Sequence, residues 1–342
     1  MAAATGQVTV LGAGSWGTAL AAALAANGHT VRLWAREEAL VNALRTGREN
    51  ARYLPGITLS PLIQPTADRT AAAAEARVVV FAVPSGALRQ VAEEFAPFLT
   101  PDVLLLSASK GLEDRTGLRM SQVLAATLPD AETRTVVLSG PNLAVEMARG
   151  VPTASVAAST NPQAATAVQQ LFTHQSSPTF RVYTGGDVIG VELGGAIKNV
   201  IAIGAGVCDG LGYGDNAKAA LMTRGLSEAV RLGRAQGAEE ATFMGLSGVG
   251  DLIATGASAL SRNYRVGTAL GQGRALFDIL ADLGQVAEGV PTTRALCELA
   301  ARSHVEMPLC SALNAVLFEN RSAPEMILEL MLRPPKPERA AS

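Results

Sequence analysis

Two hydrophobic rhythms divide the chain. In the first half, short runs of consecutive apolar residues alternate with segments whose apolar positions recur at helical spacing. Gln7–Leu11, Thr30–Trp34, Arg77–Val83, Val103–Ser107, Val136–Leu138, Ala154–Ala157 and Phe180–Tyr183 predict strands; Ser15–Asn27, Glu37–Arg45 and Ser85–Leu99 predict helices. Strands too apolar to face water on either side, with helices between them, imply a parallel sheet covered on both faces. Thr160-Asn161-Pro162 marks one more helix start, with proline suited to the first turn. After Thr184-Gly185-Gly186 only the helical rhythm remains. Asp187–Cys208 predicts one long helix, followed by Ala217–Gln236, Ala275–Leu283, Thr292–Ala301, Pro308–Glu319 and Pro324–Leu332. The expected organisation is an α/β domain at residues 1–186, an all-α domain at 187–333 and a polar tail at 334–342.

Composition narrows the function classes. The chain has 342 residues, 48% hydrophobic and 17% charged, with a net charge of −2. That suits about two domains with a sizeable core and excludes a disordered chain. Near-neutral charge argues against nucleic-acid binding. No apolar run reaches the ~18 residues of a membrane span, and the alanine-rich Ala19–Ala26 predicts a buried helix. Met1–Val10 lacks the basic start and apolar core of a secretory signal, so a cytoplasmic location is expected. Cys208, Cys297 and Cys310 are widely spaced and form no CxxC pair; they read as buried apolar residues, with no metal site expected.

The basic residues change the picture more. Of 28, four are lysines: Lys110, Lys198, Lys218 and Lys336. Where arginine serves for ordinary positive charge, a lysine marks a place that needs a compact ammonium or a removable proton. Lys336, in a proline-rich end, reads as tail.

Gly12-Ala-Gly14-Ser-Trp-Gly17 follows the first strand and opens a helix. In that context Gly12 permits the tight turn, Gly14 admits a pyrophosphate and Gly17 allows close packing of helix on strand, the pattern of a Rossmann-type dinucleotide site. At the end of the second strand, where an acidic residue usually meets the ribose diol, stands Arg36. A guanidinium suits a 2′-phosphate, so NADP(H) is the expected cofactor; Glu37 beside it allows NAD(H) as well. The strand ending at Val83-Pro84-Ser85 borders the same crevice, and the next one delivers Lys110 to it.

His29, His174 and His304 are not at strand ends, so lysine is the candidate proton handler. On the long helix, Gly194, Gly195, Ala202 and Ala205 share the face of Lys198. This bare face is expected to leave room for a substrate and a nicotinamide ring. Asp251, after Gly248-Val-Gly, is expected either to cap a helix or to hold Lys198. Ser261-Arg262-Asn263 groups a hydroxyl, a guanidinium and an amide, which suits a phosphate.

Taken together, Gly12–Gly17, Ser139-Gly-Pro141, Gly195-Ala-Ile-Lys-Asn-Val200, Gly214-Asp-Asn-Ala-Lys218, Gly248–Asp251, Ser261–Asn263 and Glu288-Gly-Val290 resemble the bacterial NAD(P)-dependent glycerol-3-phosphate dehydrogenase family, collinearly from about residue 7 to 332. The resemblance implies interconversion of sn-glycerol 3-phosphate and dihydroxyacetone phosphate, feeding phospholipid synthesis. It implies cofactor contacts at Gly12, Gly14, Ser15, Trp16, Gly17, Arg36, Lys110, Ala144, Arg262, Val286 and Glu288. It implies substrate contacts at Lys110, Gly140, Asn142, Lys198, Asn199, Asp251, Ser261, Arg262 and Asn263, with Lys198 and Asp251 catalytic and Lys198 as proton acceptor. Asn142 departs from the family's usual Ser or Thr, and Leu143 from its Phe. The expected partners are sn-glycerol 3-phosphate, dihydroxyacetone phosphate and a second copy of the chain as a homodimer. A hydroxyacid or ketopantoate reductase, which also uses a helix lysine, is the competing enzyme; a non-catalytic NADP(H) sensor is the competing binding module.

Overall fold

A computed structural model describes residues 7–173, 179–335 and 337–338; Lys336 and His174 lie outside them. The first half runs β1 (Gln7–Leu11), α1 (Ser15–Ala26), β2 (Val31–Trp34), α2 (Glu38–Gly47), β3 (Glu49–Asn50), β4 (Leu54–Thr58), β5 (Ile63–Thr66), α3 (Arg69–Ala73), β6 (Ala76–Phe81), α4 (Leu88–Phe95) and β7 (Leu104–Ser107). It continues with α5 (Met120–Thr127), α6 (Ala131–Arg134), β8 (Thr135–Ser139), α7 (Ala144–Ala148), β9 (Thr153–Ala158), α8 (Pro162–Phe172) and β10 (Phe180–Gly185). Eight strands form one sheet in the order β10-β9-β8-β7-β6-β1-β2-β5, while β3 and β4 form a separate hairpin. Apolar clusters cover both faces of the sheet, one around Val10, Leu33 and Val80, the other around Leu11, Phe81 and Phe95.

Two expectations need correction here, and one strand was not expected. The sheet is not wholly parallel: β8 and β9 pair antiparallel, Val137 opposite Ala158. A short apolar run such as Ala154–Ala157 reads the same in either direction. The edge strand β5 has no counterpart in the apolar pattern because Pro65 interrupts it, which only an edge tolerates. The helix expected over Ser85–Leu99 is a 3₁₀ turn, then α4, then another 3₁₀ turn, with Pro97 in the last.

The second half is helical: α9 (Val188–Gly210), α10 (Gly214–Ala235), α11 (Glu240–Phe243), α12 (Asp251–Gly256), α13 (Arg262–Gly271), α14 (Leu276–Leu283), α15 (Gly289–Arg302), α16 (Pro308–Phe318) and α17 (Ala323–Met331). Helix α9 is its axis. It is the one helix among the described residues long and apolar enough to cross a membrane, with a mean hydropathy of 1.5, yet 83% of that stretch is buried inside the protein. Its glycines allow unusually close contacts. A side chain at Gly271 would stand 2.6 Å from the Val207 carbonyl, and Gly206, Gly210 and Gly267 are tighter still against the α9–α13 seam. This fixes the start of α13, with Ser261–Asn263, relative to Lys198 on α9.

Candidate active site

At the end of β1 the chain turns at Gly12 with φ +111°, where a side chain would stand 2.6 Å from the Ala82 carbonyl. A side chain at Gly17 would collide with the Gly12 carbonyl, so the loop must keep both glycines. Gly14 differs: nothing lies within 4 Å of the place a Cβ would occupy. Gly14 also caps α1 without a side-chain bond, leaving the first-turn N–H groups of Ser15, Trp16 and Gly17 without helix partners. Open space over unspent donors at a helix N-terminus fits a pyrophosphate. Side chains around the loop tie it down: the Trp16 indole donates to the Ala108 carbonyl at 3.1 Å, and the Ser15 hydroxyl donates to the Tyr53 carbonyl at 2.6 Å and reaches Gln285 at 3.3 Å. Arg36, at the end of β2, is exposed and stands 3.9 Å from Glu94. Ala144 opens α7, and Val286 is exposed over less than half of its surface.

Across the crevice the polar groups converge on one carboxylate. A π-turn at Leu246–Gly250 leads directly into Asp251, the first residue of α12 and 1% exposed. Asp251 caps nothing. Its Oδ1 lies 2.9 Å from Lys198 Nζ and its Oδ2 accepts from Lys110 Nζ at 2.7 Å. Thr255, one turn along α12, accepts from Lys198 at 2.6 Å and donates to Asp251 Oδ1 at 3.0 Å. The small residues beside Lys198 do clear room, but for protein. A side chain at Gly194 would stand 2.7 Å from the Ser247 carbonyl, and one at Gly195 would stand 2.5 Å from Ser139 Oγ. The face expected to hold a ring instead lets the Ser247–Asp251 segment approach, which is how the carboxylate reaches the lysine.

The two ammoniums are used differently. An ammonium has three donors. Lys110 spends one on the Gly140 carbonyl at 2.9 Å, one on Asn142 Oδ1 at 2.7 Å and one on Asp251. Lys198 spends two, on Asp251 and Thr255, and keeps one. Burial, with Lys198 nearby, pulls the Lys110 pKa from 10.5 to about 8 against the attraction of Asp251. Asp251 is held below the usual carboxylate range by the two lysines, which outweigh its burial. Asn142, the departure from the family pattern, earns a structural explanation: its amide also donates to Ser155 at 3.0 Å and so anchors Lys110.

Arg262, first in α13, makes no hydrogen bond or ion pair among the described residues, and burial pushes its guanidinium pKa down. Glu288 faces it, pushed up by burial, and accepts from the Ser85 N–H at 3.0 Å and from the Ser85 hydroxyl, joining the two halves of the chain. Three predicted contacts are committed elsewhere. The Ser261 hydroxyl caps α13 through Tyr264 N–H at 3.2 Å. Asn263 donates to Asn199 at 2.8 Å and accepts from Gly289 N–H at 2.9 Å, stitching α9, α13 and α15. Asn199 in turn reaches the Gly195 carbonyl at 3.3 Å. Thr255 escaped sequence reasoning, although its spacing of four from Asp251 on a helix is a usable signal. His29 Nε2 donates to the Leu171 carbonyl at 3.2 Å, away from this centre.

Comparison with known proteins identifies the family. Residues 7–165 match the profile of the NAD-dependent glycerol-3-phosphate dehydrogenase N-terminus and residues 187–328 that of its C-terminus. The chain is 50% identical over 334 residues to glycerol-3-phosphate dehydrogenase (NAD(P)+) of Geobacter metallireducens, covering 97% of this chain and 99% of that one. It is 47% identical over 328 residues to the Bacillus subtilis protein of the same name, covering 96% and 94%. A crystal structure of glycerol-3-phosphate dehydrogenase from Coxiella burnetii superposes with a TM-score of 0.92 at 37% identity, covering 96% of this chain and 99% of that one. A ketopantoate reductase from Ralstonia eutropha superposes at 0.57 with 18% identity over 91% of this chain and 97% of that one, a likeness of fold alone. By sequence over nearly its whole length and by fold, the chain belongs to the NAD-dependent glycerol-3-phosphate dehydrogenase family.

Proposed function

We propose that this chain interconverts sn-glycerol 3-phosphate and dihydroxyacetone phosphate with NADP(H) or NAD(H), and that Lys198 moves the proton. The observation that carries the assignment is the donor count around Asp251: Lys198 keeps an N–H for a ligand and Lys110 does not. When bound, the reduced nicotinamide supplies the hydride that C2 of the ketone receives. The Lys198 ammonium gives its free proton to the C2 oxygen and becomes an amine; in the oxidative direction the amine takes that proton back. Asp251 and Thr255 hold Nζ in place through both states. Lys110 neutralises the second carboxylate oxygen and so keeps Asp251 aimed at Lys198. Arg262, unpaired among the described residues and at a helix N-terminus, holds the substrate phosphate.

The glycine loop and the free N–H groups of α1 hold the pyrophosphate, and Arg36 holds a 2′-phosphate. Ser15, Trp16, Ala144, Val286 and Glu288 border the rest of the cofactor. The Lys110 pKa near 8 favours a second reading, in which Lys110 is the acid and Lys198 the anchor. The reading extends to supply of glycerol phosphate for phospholipid synthesis, a cytoplasmic location supported by three free thiols, and a homodimer, for which exposed Phe277 and Met331 offer apolar surface. A spectrophotometric assay of dihydroxyacetone phosphate reduction with each cofactor tests the activity; turnover of neither would overturn it.

A further inference from the structure

The hairpin β3–β4 places one more cation at the crevice. Asn50, 1% exposed, donates to the Ala13 carbonyl at 2.9 Å and to Thr18 at 2.8 Å, and accepts from the Tyr53 N–H at 3.2 Å. The Tyr53 carbonyl in turn accepts from Ser15. These bonds clamp the hairpin tip onto the glycine loop and the first turn of α1, so Arg52 is delivered there by buried contacts rather than by a free loop. Its guanidinium lies 4.9 Å from the centre of the Tyr53 ring and donates to Glu37 at 2.8 Å. Glu37 directly follows Arg36 and bonds no N–H of α2, although it sits at that helix's N-cap. One carboxylate at the end of β2 is therefore flanked by two guanidiniums, Arg36 through the chain and Arg52 through an ion pair. Both partners of the pair are more than half exposed, so it contributes little stability and opens easily.

The two cofactors ask for opposite things at this point. A 2′-phosphate dianion is met by guanidinium forks, and two are better than one. A 2′,3′-diol is met by a carboxylate that accepts from it. We propose that Arg52 is a second ligand of the 2′-phosphate, and that the Glu37–Arg52 pair is a selector: NADP(H) draws Arg52 off Glu37, and NAD(H) draws Glu37 off Arg52. This rests on the reading of the β2 end as the adenosine ribose site.

Calorimetric titration with adenosine 2′,5′-bisphosphate and with ADP tests it without turnover. Arg52→Leu should weaken the bisphosphate about tenfold, the worth of a charge-assisted hydrogen bond, and leave ADP unchanged or tighter. Arg52→Lys should restore part of the loss. Glu37→Gln should weaken ADP and leave the bisphosphate unchanged or tighter. Equal weakening of both ligands by Arg52→Leu, or no effect on the bisphosphate, would overturn the proposal. Arg36→Leu separates the two levels: if it too fails to discriminate between the ligands, the ribose-site reading falls; if it discriminates and Arg52→Leu does not, only the selector falls.

Discussion

The two walls of the crevice are built by opposite means. On the sheet side, the loop Gly12–Gly17 offers backbone donors and no charged side chain, and among the described residues nothing comes within 4 Å of a side chain placed at Gly14. On the helix side, Asp251 gathers two ammoniums within 2.9 Å, from segments 141 and 53 residues away in sequence. An anion of fixed charge needs only amides aimed at it, and amides are indifferent to pH. A site that moves a proton needs groups that titrate, and burying such groups is tolerable only if each charge has its partner. The first surface should therefore fail through size, and the second through charge.

Removing the shared carboxylate has the largest expected effect. Asp251→Ala leaves two buried ammoniums facing each other, and breaking a buried ion pair costs about 3–5 kcal/mol, so thermal melting should fall by many degrees along with kcat. Unchanged melting would mean that the lysines are not coupled through Asp251. Arg262→Ala comes next: a lost charge-assisted contact is worth ~10- to 100-fold in kcat/KM for the phosphorylated substrate. The variant should barely distinguish dihydroxyacetone phosphate from dihydroxyacetone, and retained preference would place the phosphate elsewhere.

Charge also predicts a pH signature. Because the folded Lys110 pKa is about 8 against 10.5 when unfolded, the unfolded chain binds more protons between those values. This group's contribution to stability therefore rises with pH from about 8 to 10.5 and is flat below. The Asp251 carboxylate acts in the opposite range: its stabilisation is complete above pH 3.8 and is lost as pH falls through its lowered value. In Lys110→Arg the guanidinium stays charged, so the melting temperature of the unsubstituted chain should climb relative to the variant across the alkaline window. A constant difference would contradict the lowered pKa. The smallest expected change in stability is at Gly14→Ala, where the methyl meets open space: melting should hold while affinity for ADP drops, measured by calorimetry. Gly17→Ala, which drives a methyl into the Gly12 carbonyl, should lower both.

The same contrast governs what was legible in the sequence. The glycine loop is contiguous, and each glycine's role follows from its place between an apolar strand and a helix. Lys198 stands out through the scarcity of lysine and its small neighbours, but the sequence does not show what those neighbours admit, because which backbone fills a bare helix face is settled only in three dimensions. The pairing of Asp251 with Lys198 was one of two readings, and its bond to Lys110 had no signal in spacing. Asn199 and Asn263 are polar residues in a conspicuous motif, yet their amides are spent on one another and on helix backbones. Antiparallel β9 and the hairpin that carries Arg52 escaped for a simpler reason: runs of two to six residues hold too few positions to reveal direction or pairing.

Lys198 and Lys110 share one carboxylate, and we propose that they do different work. The most direct test is kcat at saturating substrate, measured side by side for Lys198→Ala and Lys110→Arg, with NADPH affinity measured for both. Lys198→Ala should lose roughly 10²–10⁴-fold in kcat, the range of a positioned proton transfer, with NADPH binding unchanged, and Lys110→Arg should lose much less. Near-normal kcat in Lys198→Ala beside collapse in Lys110→Arg would reverse the two roles and contradict the proposal.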